Sequence, residues 1–402
     1  VARCDLLGFA PYSDMADGLY RGYLTPAYQA AQDALADWMR EAGMSVHRDP
    51  AVNLIGRYEG ADPHAPALVI GSHLDSVRDG GRYDGPLGIM LGIECVATLQ
   101  AHNRRLPFAI EVYAFGDEEG SRFPAAMLTS RAVAGTLDAA ALEIVDPSGI
   151  SLASALPDGV ANYLDAARPA GSTLAYLEAH IEQGPVLEAD GLAVGTVTGI
   201  AAQLRYKVAV RGMAGHAGTT AMGLRRDPLA GAAAMILAIE QLARADNSDV
   251  VATVGTIEAL PGAPNVIPGE VRFTIDVRSG VAHRRDRLAE AILARVAEIA
   301  AARNLELAAE RIHDLPASPC DPDLMDLMDQ ALAAAGQPAR RLVSGAGHDA
   351  MNMAALCPTA MLFIRCKEGI SHNPAEHVDP ADAEIALQVM LGFVERLAQR
   401  YA

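Results

Sequence analysis

Hydrophobic positions along this chain follow two different rhythms. Residues 28–42 set Leu35, Trp38 and Met39 among polar neighbours and stop at Gly43, which predicts an amphipathic helix with a C-terminal stop. A strand–turn–strand stretch follows. Residues 67–71 (ALVIG) then form a short continuous apolar run, residues 108–115 (FAIEVYAF) form another, and residues 87–101 between them have helical character. Strand, helix, strand in that order predicts an α/β layer around a largely buried sheet. Both apolar runs end at charged clusters, His73 with Asp75 and Asp117 with Glu118 and Glu119. Ligands of α/β sheets gather at the carboxyl ends of strands.

From about Gln203 the rhythm changes. Residues 204–210 alternate as a strand, 228–243 are helical, 250–259 and 271–277 read as strands, 284–302 as a helix and 305–309 as a last strand. The order βαββαβ predicts an α+β insertion, an antiparallel sheet with two helices on one face, placed at residues 200–313. It interrupts an α/β domain of residues 1–199 and 314–402, whose mixed, mostly parallel sheet is flanked by helices. Residues 359–364 supply that sheet's last buried strand, which ends before a polar loop. No internal repeat or low-complexity tract is evident.

Composition narrows the possibilities. At 402 residues the chain exceeds the size at which one core keeps growing, which agrees with two domains. Hydrophobic residues make up 51%, yet the longest apolar stretch, 229–239, is too short to cross a bilayer, so no membrane-spanning role is expected. A formal net charge of −18 repels a phosphate backbone, and no Lys/Arg cluster offers a local exception, which argues against nucleic-acid partners. The five cysteines are scattered, odd in number and free of CxxC spacing, and the start at Val1 shows no basic-then-apolar run. Reduced thiols in a cytoplasmic protein are the expectation.

The charged clusters carry the chemistry. In GSHLDSV, His73 leaves the end of a strand, and Asp75 is expected to take its other ring N–H, fixing the tautomer that binds a metal. An isolated HxD pair is more often a satisfied histidine than a ligand, so the rest of the set matters. Asp84, in the glycine-rich DGGRYDGPLGI, has two carboxylate oxygens with which to reach two cations. In GDEEGSRF three acids crowd a strand end; one of Glu118 and Glu119 can bind metal while its neighbour handles protons. A solvated acidic turn is the structural alternative. His180 (LEAHIEQGPVLE) and His372 (GISHNPAEH) complete two sets joined at Asp84, His73 with His180 and Glu119 with His372. Mixed N and O donors suit Zn, Mn or Co better than Ca or Mg. Gly345 and Gly347 in SGAGHDAM let backbone approach a substrate, with His348 and Asp349 holding that loop. His47, His64, His102, His283 and His313 read as surface residues, and Arg225, Arg226 and Asp227 as the opening of a helix.

HLDSV, GGRYDGPLGI, DEEGSRF, HIEQGPVLE, GHAGTTAMGLRRD, PNVIPG, DVRS, SGAGHDAM and GISHNPAEH together, in order over residues 40–378, resemble the carbamoylase branch of the dinuclear metallopeptidase-like amidohydrolases. That branch holds allantoate amidohydrolase, N-carbamoyl-L-amino-acid hydrolase and β-ureidopropionase. The resemblance implies two divalent metals per subunit, Mn or Zn with Co or Ni as alternatives, held by His73, Asp84, Glu119, His180 and His372 with Asp84 bridging, and Glu118 as general acid/base. It implies that Gln183, His216, Asn265 and Arg278, with Gly345 beside them, bind substrate. Arg278 would clamp a carboxylate, and His216 would stabilise an oxyanion in the neighbouring subunit of a homodimer whose inserted domain serves as lid and dimerisation domain. EEGSRFP, SGAGHDAM and MLFIRCKEGISHNPAEHV look most like allantoate amidohydrolases, with an N-carbamoyl-L-amino acid or a β-ureido acid as the alternative small-molecule substrate. A thiol-dependent amidohydrolase needs a cysteine near a base, and no cysteine lies in these motifs. A non-catalytic binding protein would be expected to lack a ligand or Glu118.

Overall fold

A computed structural model describes residues 1–401. The chain forms two compact units, one of residues 1–198, 320–342 and 346–401, the other of Gly199–Pro319 with Val343–Gly345.

In the first unit, four strands lie side by side and parallel in the order Ile110–Phe115, Ala67–His73, Thr173–Ile181, Thr359–Ile364. Three of them are buried along their whole length, and only Leu174 of the fourth is partly exposed; cover on both faces is why residues 67–71, 108–115 and 359–364 read in sequence as apolar runs rather than alternating ones, whereas Thr173–Ile181, which carries Glu178 and His180, shows no such run. Antiparallel strands flank this parallel centre, Leu54–Tyr58 and Ser45–Arg48 on one side and Val194–Ile200 on the other, so the sheet is mixed. Helices Pro26–Glu41, Pro86–Ala101, Pro322–Ala334 and Pro380–Tyr401 pack into the same core. Each opens with proline, whose missing N–H is one the first helical turn cannot use. Pro86–Ala101 starts from Gly85 at φ 84, and a Cβ there would stand 2.4 Å from the His73 carbonyl oxygen and 2.6 Å from its ring. Glycine is therefore required to bring the chain past His73. Because the four central strands are parallel, their carboxyl ends share one edge of the sheet.

The second unit is an antiparallel sheet in the order Ile257–Leu260, Glu270–Ser279, Ala202–Arg211, Glu306–Leu315, with helices Pro228–Asp246 and Ala282–Ala302. Leu204, Val208, Met235, Ile239, Phe273, Ile275, Leu288 and Ile292 form its core. Two expectations need correction. Residues 250–259 are not one strand: Val251–Thr253 and Ile257–Leu260 pair separately with Glu270–Ser279, and residues 254–256 face only 274–275. One surplus residue bends the edge into a bulge, with Thr256 and Thr274 bonding hydroxyl to hydroxyl at 3.1 Å. The last strand runs to Leu315 rather than 309, its register shifting between Arg311 and His313. Phe273→Ala, which empties the centre of this core, is expected to destabilise the unit by about 3–5 kcal/mol. Earlier amide exchange across residues 202–315 is the check. Among the described residues no helix is long and apolar enough to cross a membrane.

Candidate metal centre

The shared edge of the parallel strands brings His73, Asp84, Glu118, Glu119, His180, Gln183 and His372 into one cavity of about 200 Å³, closed by Met127, Ala346 and Gly347. Three acids and three histidines line it, with no lysine or arginine.

The tautomers follow from the main chain. His73 Nδ1 lies 3.0 Å from the Asp75 carbonyl oxygen and His180 Nδ1 2.9 Å from that of Ile181. A carbonyl only accepts, so both Nδ1 atoms carry hydrogen and both Nε2 atoms present lone pairs when the rings are neutral. Those Nε2 atoms stand 3.4 Å apart, 3.4 and 3.1 Å from Asp84 Oδ1. Asp84 Oδ2 faces His372 Nε2 at 3.3 Å, and the same nitrogen lies 3.3 Å from Glu119 Oε1. Donor atoms of His73, Asp84 and His180 fall within 4.8 Å of one another, as do those of Asp84, Glu119 and His372, and those of His73, Glu118 and Glu119. Buried Asp84 Oδ1 has no hydrogen-bond donor. So many lone pairs in mutual contact require positive charge among them. The titration tendencies say the same: burial opposes charge on His73, yet Asp84, Glu118 and Asp75 lift its pKa well above the usual histidine range. Hydrogen bonding to Asp84 and Glu119 pushes His372 up to about 10. The residues present fit a pair of cations sharing Asp84.

Asp75 differs from expectation. Its carboxylate is 3.8 Å from His73 Nδ1, too long for a hydrogen bond, and accepts instead from the backbone of Glu118 at 3.1 Å and of Glu119 at 3.2 Å. Its main-chain carbonyl orients the histidine; its side chain holds the acid turn. Within that turn Glu118 is buried, and burial, with Glu119, Asp349 and Asp75 nearby, raises its pKa well above the ordinary range against the opposing influence of His73. The carboxylate is correspondingly basic. Asp117, Gln183 and His372 hold φ of 56°, 54° and 54°, a left-handed region that non-glycine residues rarely occupy and that clusters at functional sites.

Gln183 turns its amide nitrogen onto Asp84 Oδ2 at 2.9 Å, and Ser371 donates to the same oxygen at 2.7 Å. Two contributors escaped the sequence reading. Buried Glu376 accepts from the backbone of Tyr83 at 2.8 Å and Asp84 at 3.1 Å, and burial together with Asp84 raises its pKa to about 7. Glu178 accepts from Ser72 beside His73 and from Ala350. Their only signal was an acid near a histidine motif. His348 packs edge-on against His180 at 4.4 Å between centroids, and burial keeps its pKa well below the usual range.

The second unit carries His216, Asn265, Arg278 and Gly345. His216 Nδ1 accepts the Gly218 N–H at 3.1 Å, which leaves its Nε2 as an outward N–H donor. The Asn265 carbonyl accepts from Ala217 beside it. Arg278 is already engaged, with Asp276 through two nitrogens and with the Gly345 carbonyl. Asp227 caps helix Pro228–Asp246, while Arg225 binds the Ala217 and Thr220 carbonyls and braces the His216 loop. None of the five cysteines lines the cavity; all are buried, and burial pushes every thiol pKa up, Cys366 to about 11, which disfavours a thiolate nucleophile.

The sequence pattern of peptidase family M20/M25/M40 matches residues 69–396. The chain is 45% identical over 388 residues to an N-carbamoyl-L-amino acid amidohydrolase of Geobacillus stearothermophilus, covering 95% of this chain and 94% of that one. It is 40% identical over 428 residues to allantoate deiminase of Arabidopsis thaliana, covering 98% and 81%. A crystal structure of an amidase of the hydantoinase/carbamoylase family from Burkholderia multivorans superposes with a TM-score of 0.90 at 35% identity, covering 99% and 96%.

Proposed function

This chain belongs to peptidase family M20/M25/M40, and from that premise we propose that it hydrolyses the ureido carbon–nitrogen bond of a small ureido acid, with allantoate as substrate and ureidoglycine, ammonia and carbon dioxide as products. It is a hydrolase acting on carbon–nitrogen bonds other than peptide bonds. The observation that carries the reading is Asp84, which offers one oxygen to His73 and His180 and the other to His372 beside Glu119, in a cavity without lysine or arginine.

His73, Asp84, Glu119, His180 and His372 would hold two divalent cations, Mn or Zn in first place and Co or Ni in second. Bound there, such ions supply Lewis-acid polarisation of a carbonyl and acidify water. The chain does the rest. The main-chain carbonyls of Asp75 and Ile181 keep the Nε2 lone pairs of His73 and His180 aimed inward. Glu118 accepts the proton of the attacking water on a carboxylate oxygen and returns it to the leaving nitrogen. His216 has its Nε2–H available to donate to the oxyanion, in a homodimer in which each subunit serves its neighbour's site. Arg278 and Asn265 bind the substrate carboxylate, Arg278 by exchanging a present partner for it, and Gln183 and Gly345 complete the pocket. Five free, buried cysteines support the reading of a reduced, cytoplasmic setting.

An N-carbamoyl-L-amino acid is the second reading, favoured by the 45% identity to a protein named for that substrate. Ammonia release from allantoate and from an N-carbamoyl-L-amino acid, measured side by side on chelator-stripped enzyme reloaded with Mn²⁺, separates the two. Release from allantoate alone, and only after reloading, is the expected result. Preference for the carbamoyl acid installs the second reading, and release that survives stripping removes the metal-dependent mechanism.

A further inference from the structure

We propose that Thr129 is a positioning residue for the acid turn, acting through Gly116 on Glu118 and Glu119. Thr129 is fully buried; its hydroxyl oxygen accepts the Gly116 N–H at 2.8 Å, and its hydroxyl proton goes to the Gly116 carbonyl at 2.9 Å. Gly116 is the first residue past strand Ile110–Phe115, so its two polar groups have left the sheet ladder while still inside the protein. Buried backbone groups need partners, and one side chain supplies both.

This contact is the last of three in register. Met127 N–H bonds the Glu118 carbonyl at 3.0 Å, Leu128 N–H bonds that of Asp117 at 3.4 Å, and Thr129 then takes Gly116 with its side chain. Residues 127–129 thus zip against 118–116. From the other direction the Asp75 carboxylate holds the amides of Glu118 and Glu119. Gly116 has no room to drift, because a Cβ there would lie 2.4 Å from the Tyr23 ring and 2.7 Å from the Tyr28 hydroxyl. The backbone that carries both glutamates is therefore fixed at each end by a side-chain oxygen, and Thr129 is the one with no contact to any cavity-lining group through that oxygen. Valine in its place keeps the shape and removes both bonds; serine keeps the bonds.

The inference rests on the reading of Glu118 as proton acceptor and Glu119 as metal ligand. The test compares Thr129→Val, Thr129→Ser and Glu118→Gln in the full chain loaded with Mn²⁺, reading kcat and KM on the ureido acid the wild type turns over, the rate of Mn²⁺ loss to a chelator, and Tm. Groups that orient a ligand from outside typically matter by about 10–100-fold. Thr129→Val is expected to lower kcat about tenfold with KM within about twofold and to speed Mn²⁺ loss about tenfold, and Thr129→Ser to restore both. Wild-type kcat and Mn²⁺ loss in Thr129→Val, beside an inactive Glu118→Gln, overturn the proposal and leave the reading of Glu118 standing. A fall in Tm alone, or a serine variant no better than valine, overturns it as well. Full activity in Glu118→Gln removes the underlying reading and this inference with it.

Discussion

Glu118→Gln is expected to lower kcat about 10²–10⁴-fold, the range that a positioned proton acceptor contributes, with KM changed far less. The side chain keeps its length and shape and loses the ability to take a proton. Its pocket favours this role: the carboxylate is buried, with Glu119, Asp349 and Asp75 nearby, so it binds a proton more readily than an ordinary glutamate. The sign with pH follows. A proton acceptor of raised pKa is lost as pH falls through that pKa, so wild-type kcat/KM should decline on the acid side, and the variant should lack that limb. Folding should be unharmed or improved, since the substitution removes one negative charge from a crowded acidic cavity. Metal content should stay at the wild-type value, because the five nitrogen and oxygen donors assigned to cations are untouched. A kcat within about threefold of wild type would dismiss Glu118 from the proton path.

Asp84→Asn is expected to have the second large effect, on cation content first and on rate through it. Asp84 turns its two oxygens toward different histidines, His73 and His180 on one side and His372 on the other. An asparagine amide offers one oxygen and an NH₂ that cannot ligate, so one of the two sets must lose its shared donor. Cation content per chain, by elemental analysis after gel filtration, should fall by about half or more. The rate should fall about 10³-fold, as removal of several kcal/mol of electrostatic stabilisation implies. Loading also responds to pH. In the metal-free chain His372 is pushed up to about 10 by Asp84 and Glu119, so it is protonated at neutral pH and must shed that proton to serve a cation. Affinity on that side should therefore rise with pH up to about 10. Full cation content in Asp84→Asn would show that the carboxylate is not shared.

Much of this was legible in the order of residues. Unbroken apolar runs at 67–71, 108–115 and 359–364 announced buried parallel strands, because a strand covered on both faces has no polar alternation to show. The first two runs ended at chemistry-bearing residues and the third before the polar loop that carries His372, and parallel strands necessarily deliver their carboxyl ends to one edge. The alternating 204–210 announced a half-covered antiparallel sheet. The sequence reading missed the central strand Thr173–Ile181, whose Glu178 and His180 interrupt its apolar run; its other slips were local. The break at 254–256 depends on a register mismatch of one residue with a partner strand, which the period of a single strand cannot display.

The sequence by itself determined which donors exist and much of how the strand topology gathers them: His73 and a carboxylate set at strand ends, a loop aspartate before a helix, and a histidine after the last strand, while the strand that carries His180 showed only in the structure. Only the tertiary structure decided how each is held. His73–x–Asp75 spacing suggested a carboxylate on the ring, yet the ring bonds the Asp75 carbonyl while the carboxylate goes to Glu118 and Glu119. Glu376 reaches Asp84 across 292 residues, and Thr129 reaches Gly116 across 13. Spacing along a chain fixes periodicity and local turns. It carries no record of which side chain meets which backbone group once distant segments pack, because hydrogen bonds are settled by differences of a few tenths of an ångström that arise only when every neighbour is in place.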